Sequence, residues 1–222
     1  MTNKFFHKYA AKMTCVIIVM LFSLSLWQLA SAGWIQGKAL VAQILLSHSW
    51  HQTLNNPQHQ QLVQNHTEQT SAKYADKYPV KKAMHKPWPW ADTWPVAKLS
   101  VPQHNIEQIV VAGDSGSSLA FAPGYSLASA APNTPGTTMI SAHRDTHFAF
   151  LKRLKINDSL YLQTAEQTTR YQVYDMQIVD SQSVTVQTDN NEQTLVLATC
   201  YPFDSMISGG SLRYLVFAHK KP

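Results

Sequence analysis

Between residues 97 and 218 this chain is written in short β-rich runs separated by turn residues, and that pattern restricts the folds open to it. The runs fall at residues 97–101, 108–112, 118–121, 137–142, 159–163, 169–179, 183–187, 194–199 and 212–218, with Gly, Pro, Asn and Asp between them. Tyr171-Gln172-Val173-Tyr174 alternates with the period of two that a half-buried strand requires. Eight or nine strands of this length predict an all-β barrel or sandwich. No internal repeat is visible, and 222 residues suffice for one sizeable core.

The chain reads as three segments. Residues 1–35 carry Lys4, His7, Lys8 and Lys12 ahead of an apolar stretch over residues 13–32, interrupted only by Thr14, Ser23, Ser25, Gln28 and Ser31. Such a stretch spans a bilayer as a helix. The basic flank precedes it, which predicts a single-pass protein of the inner (cytoplasmic) membrane with a cytoplasmic N-terminus and its working domain on the extracytoplasmic, or periplasmic, side. Ala30-Ser31-Ala32 also fits a signal-cleavage site, but the run continues through Trp34 and Ile35, which favours an uncleaved signal anchor. Residues 36–86 follow. From Gly37 to about Leu54 the apolar residues Ala39, Leu40, Ala42, Ile44, Leu45, Leu46 and Trp50 are spaced for an amphipathic helix, and beyond it comes a polar stalk rich in Gln, Asn, His and Lys. Residues 87–222 form the globular domain. It opens with Pro87-Trp88-Pro89-Trp90-Ala91-Asp92-Thr93-Trp94-Pro95, where prolines forbid helix and the tryptophans are expected to lie buried across the core.

Charge excludes little but redirects attention. The net charge of +5 is spread along the chain, with no basic run interleaved with aromatics and no zinc-finger spacing, so nucleic acid is not an expected partner. His48, His51, His59, His66 and His85 match no metal-ligand spacing, and no metal site is predicted.

Of two cysteines, Cys15 lies inside the apolar segment, which leaves Cys200 as a free thiol in an oxidising compartment. Cys200 ends the run Val196-Leu197-Ala198-Thr199-Cys200, His143 follows Met139-Ile140-Ser141-Ala142, and Arg213 opens Tyr214-Leu215-Val216-Phe217-Ala218. Three chemically versatile side chains thus sit at the ends of predicted strands. A thiolate is the nucleophile, a histidine can give a proton to a leaving amine and take one from an incoming one, and a planar guanidinium can hold a carbonyl and its developing oxyanion. That set suits acyl transfer through a thioester. A cysteine hydrolase with water as acceptor uses the same three residues, and a non-catalytic module that binds a surface protein is the reading from outside enzymology.

The chain resembles the sortases, membrane-anchored cysteine transpeptidases. Their Thr-Leu-x-Thr-Cys signature is matched by Val196-Leu197-Ala198-Thr199-Cys200 with Val196 replacing the first threonine, and their histidine block by Ala142-His143-Arg144-Asp145-Thr146-His147-Phe148. The downstream arginine matches Arg213, in the family's His, Cys, Arg order. Ser118-Leu119-Ala120-Phe121-Ala122-Pro123-Gly124 and the tryptophan-proline segment look like the proteobacterial branch called class GN. The resemblance implies a closed eight-stranded β-barrel with short helices. It also implies a partner protein ending in a Leu-Pro-x-Thr-Gly-like sorting signal, a thioacyl enzyme on Cys200, and an amine acceptor of unspecified identity. Thr199, Arg144 and Asp145 are expected to support the three reacting residues, and His147 to serve the loop. Some sortases bind calcium, but Asp175, Asp180, Asp189 and Glu192 are not set as a calcium loop, and no cofactor is called for.

Overall fold

The computed structural model describes residues 3–55, 86–187, 192–205 and 209–222, with backbone alone at 3–16 and 29–40. The expected stalk lies outside the described residues from 56 to 85, and His59, His66 and His85 with it. The chain forms two compact units, Met1–Ala42 and Gln43–Pro222.

Helix α1 (Asn3–Leu54) runs without a break through Gly33 and Gly37, so the amphipathic stretch from residue 37 is its continuation and not a separate element. A lone glycine costs a helix about 1 kcal/mol, too little to end one of this length. Among the described residues no helix is long and apolar enough to cross a membrane. The apolar stretch over residues 13–32 falls partly on side chains outside the description, at 13–16 and 29–32.

In the second unit, β1 (Pro95–Val101), β2 (Ile106–Ala112), β3 (Gly124–Tyr125), β4 (Gly136–Ser141), β5 (Ser159–Gln163), β6 (Thr168–Asp180), β7 (Gln193–Cys200) and β8 (Leu212–Lys220) close into a barrel. Their order around it is β1-β2-β3-β4-β7-β8-β6-β5. Seven of the nine expected runs match a strand to within two residues. Pro95 opens β1, a place in a strand where a missing N–H is tolerated. β7 is the strand most deeply enclosed, parallel to β4 on one side and antiparallel to β8 on the other.

Two runs are not strands. Residues 118–121 overlap the short helix α2 (Gly116–Leu119): Gly113, at φ +81°, turns the chain out of the sheet and the Leu119 N–H bonds back to the Ser115 carbonyl. Residues 183–187 form no ladder, because Asp180 folds the chain back at the end of β6. Its carbonyl accepts from the N–H groups of Ser183 and Val184, and its carboxylate from that of Gln182. Conversely, β3 is only two residues long, too short for any periodicity, yet it bridges β2 and β4 and so closes the barrel.

The barrel interior is apolar. Leu99, Leu160, Leu162, Val173, Leu195, Leu197 and Val216 are fully buried there, and each such side chain contributes about 1.5–3 kcal/mol over an exposed one. The end of α1 adds a satellite cluster, with Leu46 against Val111, Ala122, Trp88 and Phe121, and Gln43 Nε2 donating to the Phe121 carbonyl. Of the three expected buried tryptophans, Trp88 packs edge-on to Phe121 at 5.1 Å and Trp94 is partly buried, but Trp90 is 80% exposed. A turn closed by the Ala91 N–H on the Trp88 carbonyl swings Trp90 outward.

One polar network sits in the core. The fully buried Tyr171 hydroxyl donates to Asn133 Oδ1 at 3.2 Å and accepts from Gln193 Nε2 at 3.2 Å, while Asn133 Nδ2 donates to the Leu162 and Gln167 carbonyls. Burial pushes the Tyr171 phenol up to about 12, against the smaller opposing pull of the Gln193 hydrogen bond. Tyr171→Phe should lower unfolding free energy by about 1–3 kcal/mol, measured by denaturant titration, because it strips a partner from two polar groups. The phenol has a second effect. An unfolded Tyr171 ionises near pH 10 while the folded one stays neutral to about 12, so it makes stability fall as pH rises through that interval, and the variant should lose this slope.

Candidate active site

Strand pleat decides which residues share a face. Along β7, Leu195 and Leu197 point into the barrel core, whereas Val196 and Ala198 join an outer cluster with Leu215 of β8, flanked by Met139, Val179, Val186 and Phe217. Cys200 continues the outer series. In the β7–β8 register, Val196 faces Phe217, Ala198 faces Leu215 and Cys200 faces Arg213. On the other side β4 brings Met139 beside Val196 and Ser141 beside Ala198, and His143 lies two residues further along the same outer parity. The three residues picked from the sequence therefore line one groove of about 610 Å³ with an apolar floor.

The groove has walls that the sequence reading did not assign. Val184, Thr185 and Val186, expected as a strand, line it as an irregular segment after β6. Asp114 and Leu119 reach it from the connection that follows β2. No local signal could have found them, because their place depends on how β2, β3 and β4 assemble.

The histidine turn is held at several points. The Ala142 N–H bonds to the Ala198 carbonyl at 3.2 Å, extending the β4–β7 ladder by one residue. Buried Thr199 donates its hydroxyl to the Ala142 carbonyl at 2.7 Å. The residue before the thiol is thus tied to the residue before the imidazole. Across the turn, the Phe148 N–H closes on the His143 carbonyl at 3.0 Å, and the fully buried Phe148 ring packs edge-on to Phe150. Gln108 Nε2 donates to the His147 carbonyl at 2.7 Å, a contact across 39 residues that nothing in the sequence announces.

Arg144 leaves the groove and donates to the Ser205 carbonyl at 2.7 Å, joining the histidine turn to the β7–β8 connection. That connection also packs by rings: Tyr201 stacks on Tyr214 and Phe203 meets Tyr214 edge-on at 5.3 Å. Asp145 is exposed on the turn and is not among the described residues lining the groove. Arg213 Nη1 donates to the carbonyls of Gly210 and Leu212, which steadies the guanidinium next to the thiol's strand position.

His147 does not line this groove. It borders a separate cavity of about 320 Å³ with Gln108, Thr146 and Phe150. Burial, and then the charge of nearby His143, lowers its pKa below 6.5. A side chain that resists protonation beside His143 suits a loop role better than proton shuttling. NMR titration should place His147 below 6.5 and show it rising in His143→Ala, with burial still holding it under the ordinary value. Thr199→Val should cost about 1–2 kcal/mol of stability on chemical denaturation, since the buried Ala142 carbonyl loses its side-chain donor.

Comparisons with known proteins bear on the whole barrel. A family model described as the Sortase domain matches residues 99–221. Sortase D of Bacillus subtilis strain 168 is 30% identical over 123 residues, 55% of this chain and 62% of that protein, so the match spans less than two thirds of this relative. Among solved structures, the Sortase D5 transpeptidase of Clostridium perfringens superposes with a TM-score of 0.59 at 16% identity, covering 82% of this chain and 99% of that one. Sortase A from Corynebacterium diphtheriae gives 0.58 at 20% identity, covering 82% and 93%. At such identities these two establish the fold. With the family model extending from β1 through β8, over more than half of its residues, the chain belongs to the sortase family.

Proposed function

We propose that this protein is a membrane-anchored cysteine transpeptidase that cleaves a Leu-Pro-x-Thr-Gly-like sorting signal at the C-terminus of a surface protein and passes the acyl group to an amine. The observation that carries the reading is the pairing of Cys200 with Arg213 across β7 and β8, in a groove that His143 also lines. Met139, Ala198 and Leu215 give that groove an apolar floor suited to an extended peptide with apolar side chains.

The chemistry follows from the three groups. The Cys200 thiolate attacks the threonine carbonyl, and the electron pair moves onto its oxygen. The Arg213 guanidinium, held by two carbonyls through Nη1, stabilises that oxyanion from its remaining N–H groups. As the tetrahedral intermediate collapses, the peptide C–N bond breaks, His143 gives its proton to the departing glycine amine, and a thioester remains on Cys200. The acceptor amine then attacks the thioester carbonyl and loses a proton to His143. Collapse expels the thiolate and completes a new amide bond. Thr199 and Arg144 act through position, fixing the histidine turn against β7 and its following loop. If water replaces the amine, the same steps give hydrolysis.

Anchoring rests on the N-terminus. Nine large apolar side chains between Ile17 and Trp27 are each more than half exposed, a surface that water does not tolerate and lipid does. With Lys4, Lys8 and Lys12 ahead of them, the catalytic unit belongs on the periplasmic side of the inner membrane. The protein should accordingly stay in the membrane pellet through alkaline carbonate and be lost to the soluble fraction when residues 1–35 are removed.

Incubation with a sorting-signal peptide and an added amine should give a ligated product by mass spectrometry, with hydrolysed peptide alone when the amine is left out. Absence of both product and thioester adduct rejects the reading. Cys200→Ala should form neither, and unchanged function in that variant would favour a binding module. Arg213→Lys should lower kcat by about 10²-fold, as expected for loss of an oxyanion donor. Because one group acts deprotonated and the other protonated, the pH–rate profile should be bell-shaped, and a flat profile across the neutral range would contradict the pairing.

A further inference from the structure

We propose that Asp114 is a cation-recognising residue of the groove, favouring a substrate that carries an ammonium or guanidinium group in addition to its reacting atoms. The inference rests on the transpeptidase reading and adds a chemical requirement to its substrates. Among the described residues lining the groove, Asp114 is the one carboxylate. It makes no hydrogen bond or ion pair within the described residues, so its charge is not neutralised internally. The chain as a whole is positive by 5, and the exposed Asp114 carboxylate, in the same groove as Cys200, runs against that background. Water screens an exposed carboxylate, so the ion pair that Asp114 offers a bound cation is a modest one.

Topology gives the groove a polarity. Asp114 follows β2 and Arg213 opens β8, and the order β2-β3-β4-β7-β8 places them on opposite sides of the strand that ends in Cys200. A peptide or acceptor lying across β7 therefore meets a negative end beyond β4 and a positive end at β8. The first suits a cation and the second an oxyanion, so the two charges serve different groups of the bound substrates.

The position of Asp114 is also built into the fold. Gly113 adopts φ +81° and donates its N–H to the Tyr125 carbonyl at 2.9 Å. Gly124 packs so closely that a Cβ there would collide with the Gly113 carbonyl oxygen and lie 2.9 Å from Asp114 Cα. On the near side, Ala112 is held by the Trp94 carbonyl and by the Thr93 hydroxyl at 2.6 Å. The carboxylate is thus presented from a fixed backbone, so that only its side chain is ordered on binding.

The cation could belong to the cleaved peptide or to the acceptor, and two arms separate these sources. In the first, the full-length Cys200→Ala chain in detergent is titrated with fluorescent Leu-Pro-Lys-Thr-Gly, Leu-Pro-Gln-Thr-Gly and Leu-Pro-Glu-Thr-Gly peptides. The lysine peptide should bind about threefold to fivefold more tightly than the glutamine peptide, as for one partly exposed ion pair, and the glutamate peptide more weakly than both. High salt should shrink the gap. Asp114→Asn should erase it, and Asp114→Lys should reverse it. In the second arm, the active chain receives the glutamine peptide and either lysine amide or norleucine amide, and an Asp114-dependent preference for lysine amide assigns the cation to the acceptor. Equal affinities across the peptides together with equal use of the two acceptors overturns the proposal. Charge-ordered binding in the Cys200→Ala chain with no ligated product from any pair would sustain Asp114 while sinking the transpeptidase reading.

Discussion

The register of β7 between its two neighbours is the constraint on which the rest of the site depends. Each residue of β7 points either into the barrel or out to the groove, and the alternation admits no compromise. Leu195 and Leu197 are fully buried in the core, so Val196, Ala198 and Cys200 must face outward. The burial energy of the inner residues therefore fixes the orientation of the thiol. A slip of one residue against β8 would put two leucines on the outer face and turn Cys200 inward, and would part it from Arg213. Core packing and the placement of Cys200 opposite Arg213 are one requirement, enforced by the same hydrogen-bond ladder.

Around that ladder the histidine turn is fastened from three directions. Thr199 fixes its entrance, Phe148 anchors its exit in the core, and Gln108 holds the His147 carbonyl from β2. Arg144 then links the turn to the segment that follows Cys200. Each contact is individually modest, about 1 kcal/mol for an ordinary hydrogen bond, but together they leave the loop few alternative positions. In the transpeptidase proposed above, preorganisation of this kind would let a proton donor and an oxyanion donor act without rearranging during the reaction. Hydrogen bonds to backbone carbonyls suit the task, because they set the path of the chain and leave the imidazole and thiol free for substrate.

Where sequence patterns misled, long-range geometry had intervened. Val184 and Val186 alternate as strand residues should, but Asp180 captures the neighbouring amides in a turn, and among the described residues no strand pairs with them. The segment becomes a wall of the groove instead. Residues 118–121 carry apolar side chains at strand-like density, yet Gly113 redirects the chain and a short helix forms. The two residues of β3 carry no periodic signal, and their pairing exists only because β2 and β4 flank them. Trp90 shows that an aromatic residue in a proline-rich segment can be turned outward by a single hydrogen-bonded turn.

Legible in the residues alone were the all-β class, seven of the strands to within two residues, the free thiol, and Cys200, His143 and Arg213 as chemically versatile side chains at strand ends. These follow from local physics: side-chain alternation, turn residues and the reactivity of particular groups are written within a few positions of one another. Which strands neighbour one another around the barrel, that Cys200 lies opposite Arg213, and that Asp114 borders the same groove emerge only from the assembled fold. Those depend on pairings between residues 13 positions apart for Cys200 and Arg213 and 57 apart for Ser141 and Ala198, whose register is set by the summed burial of the core and by no single residue's preference.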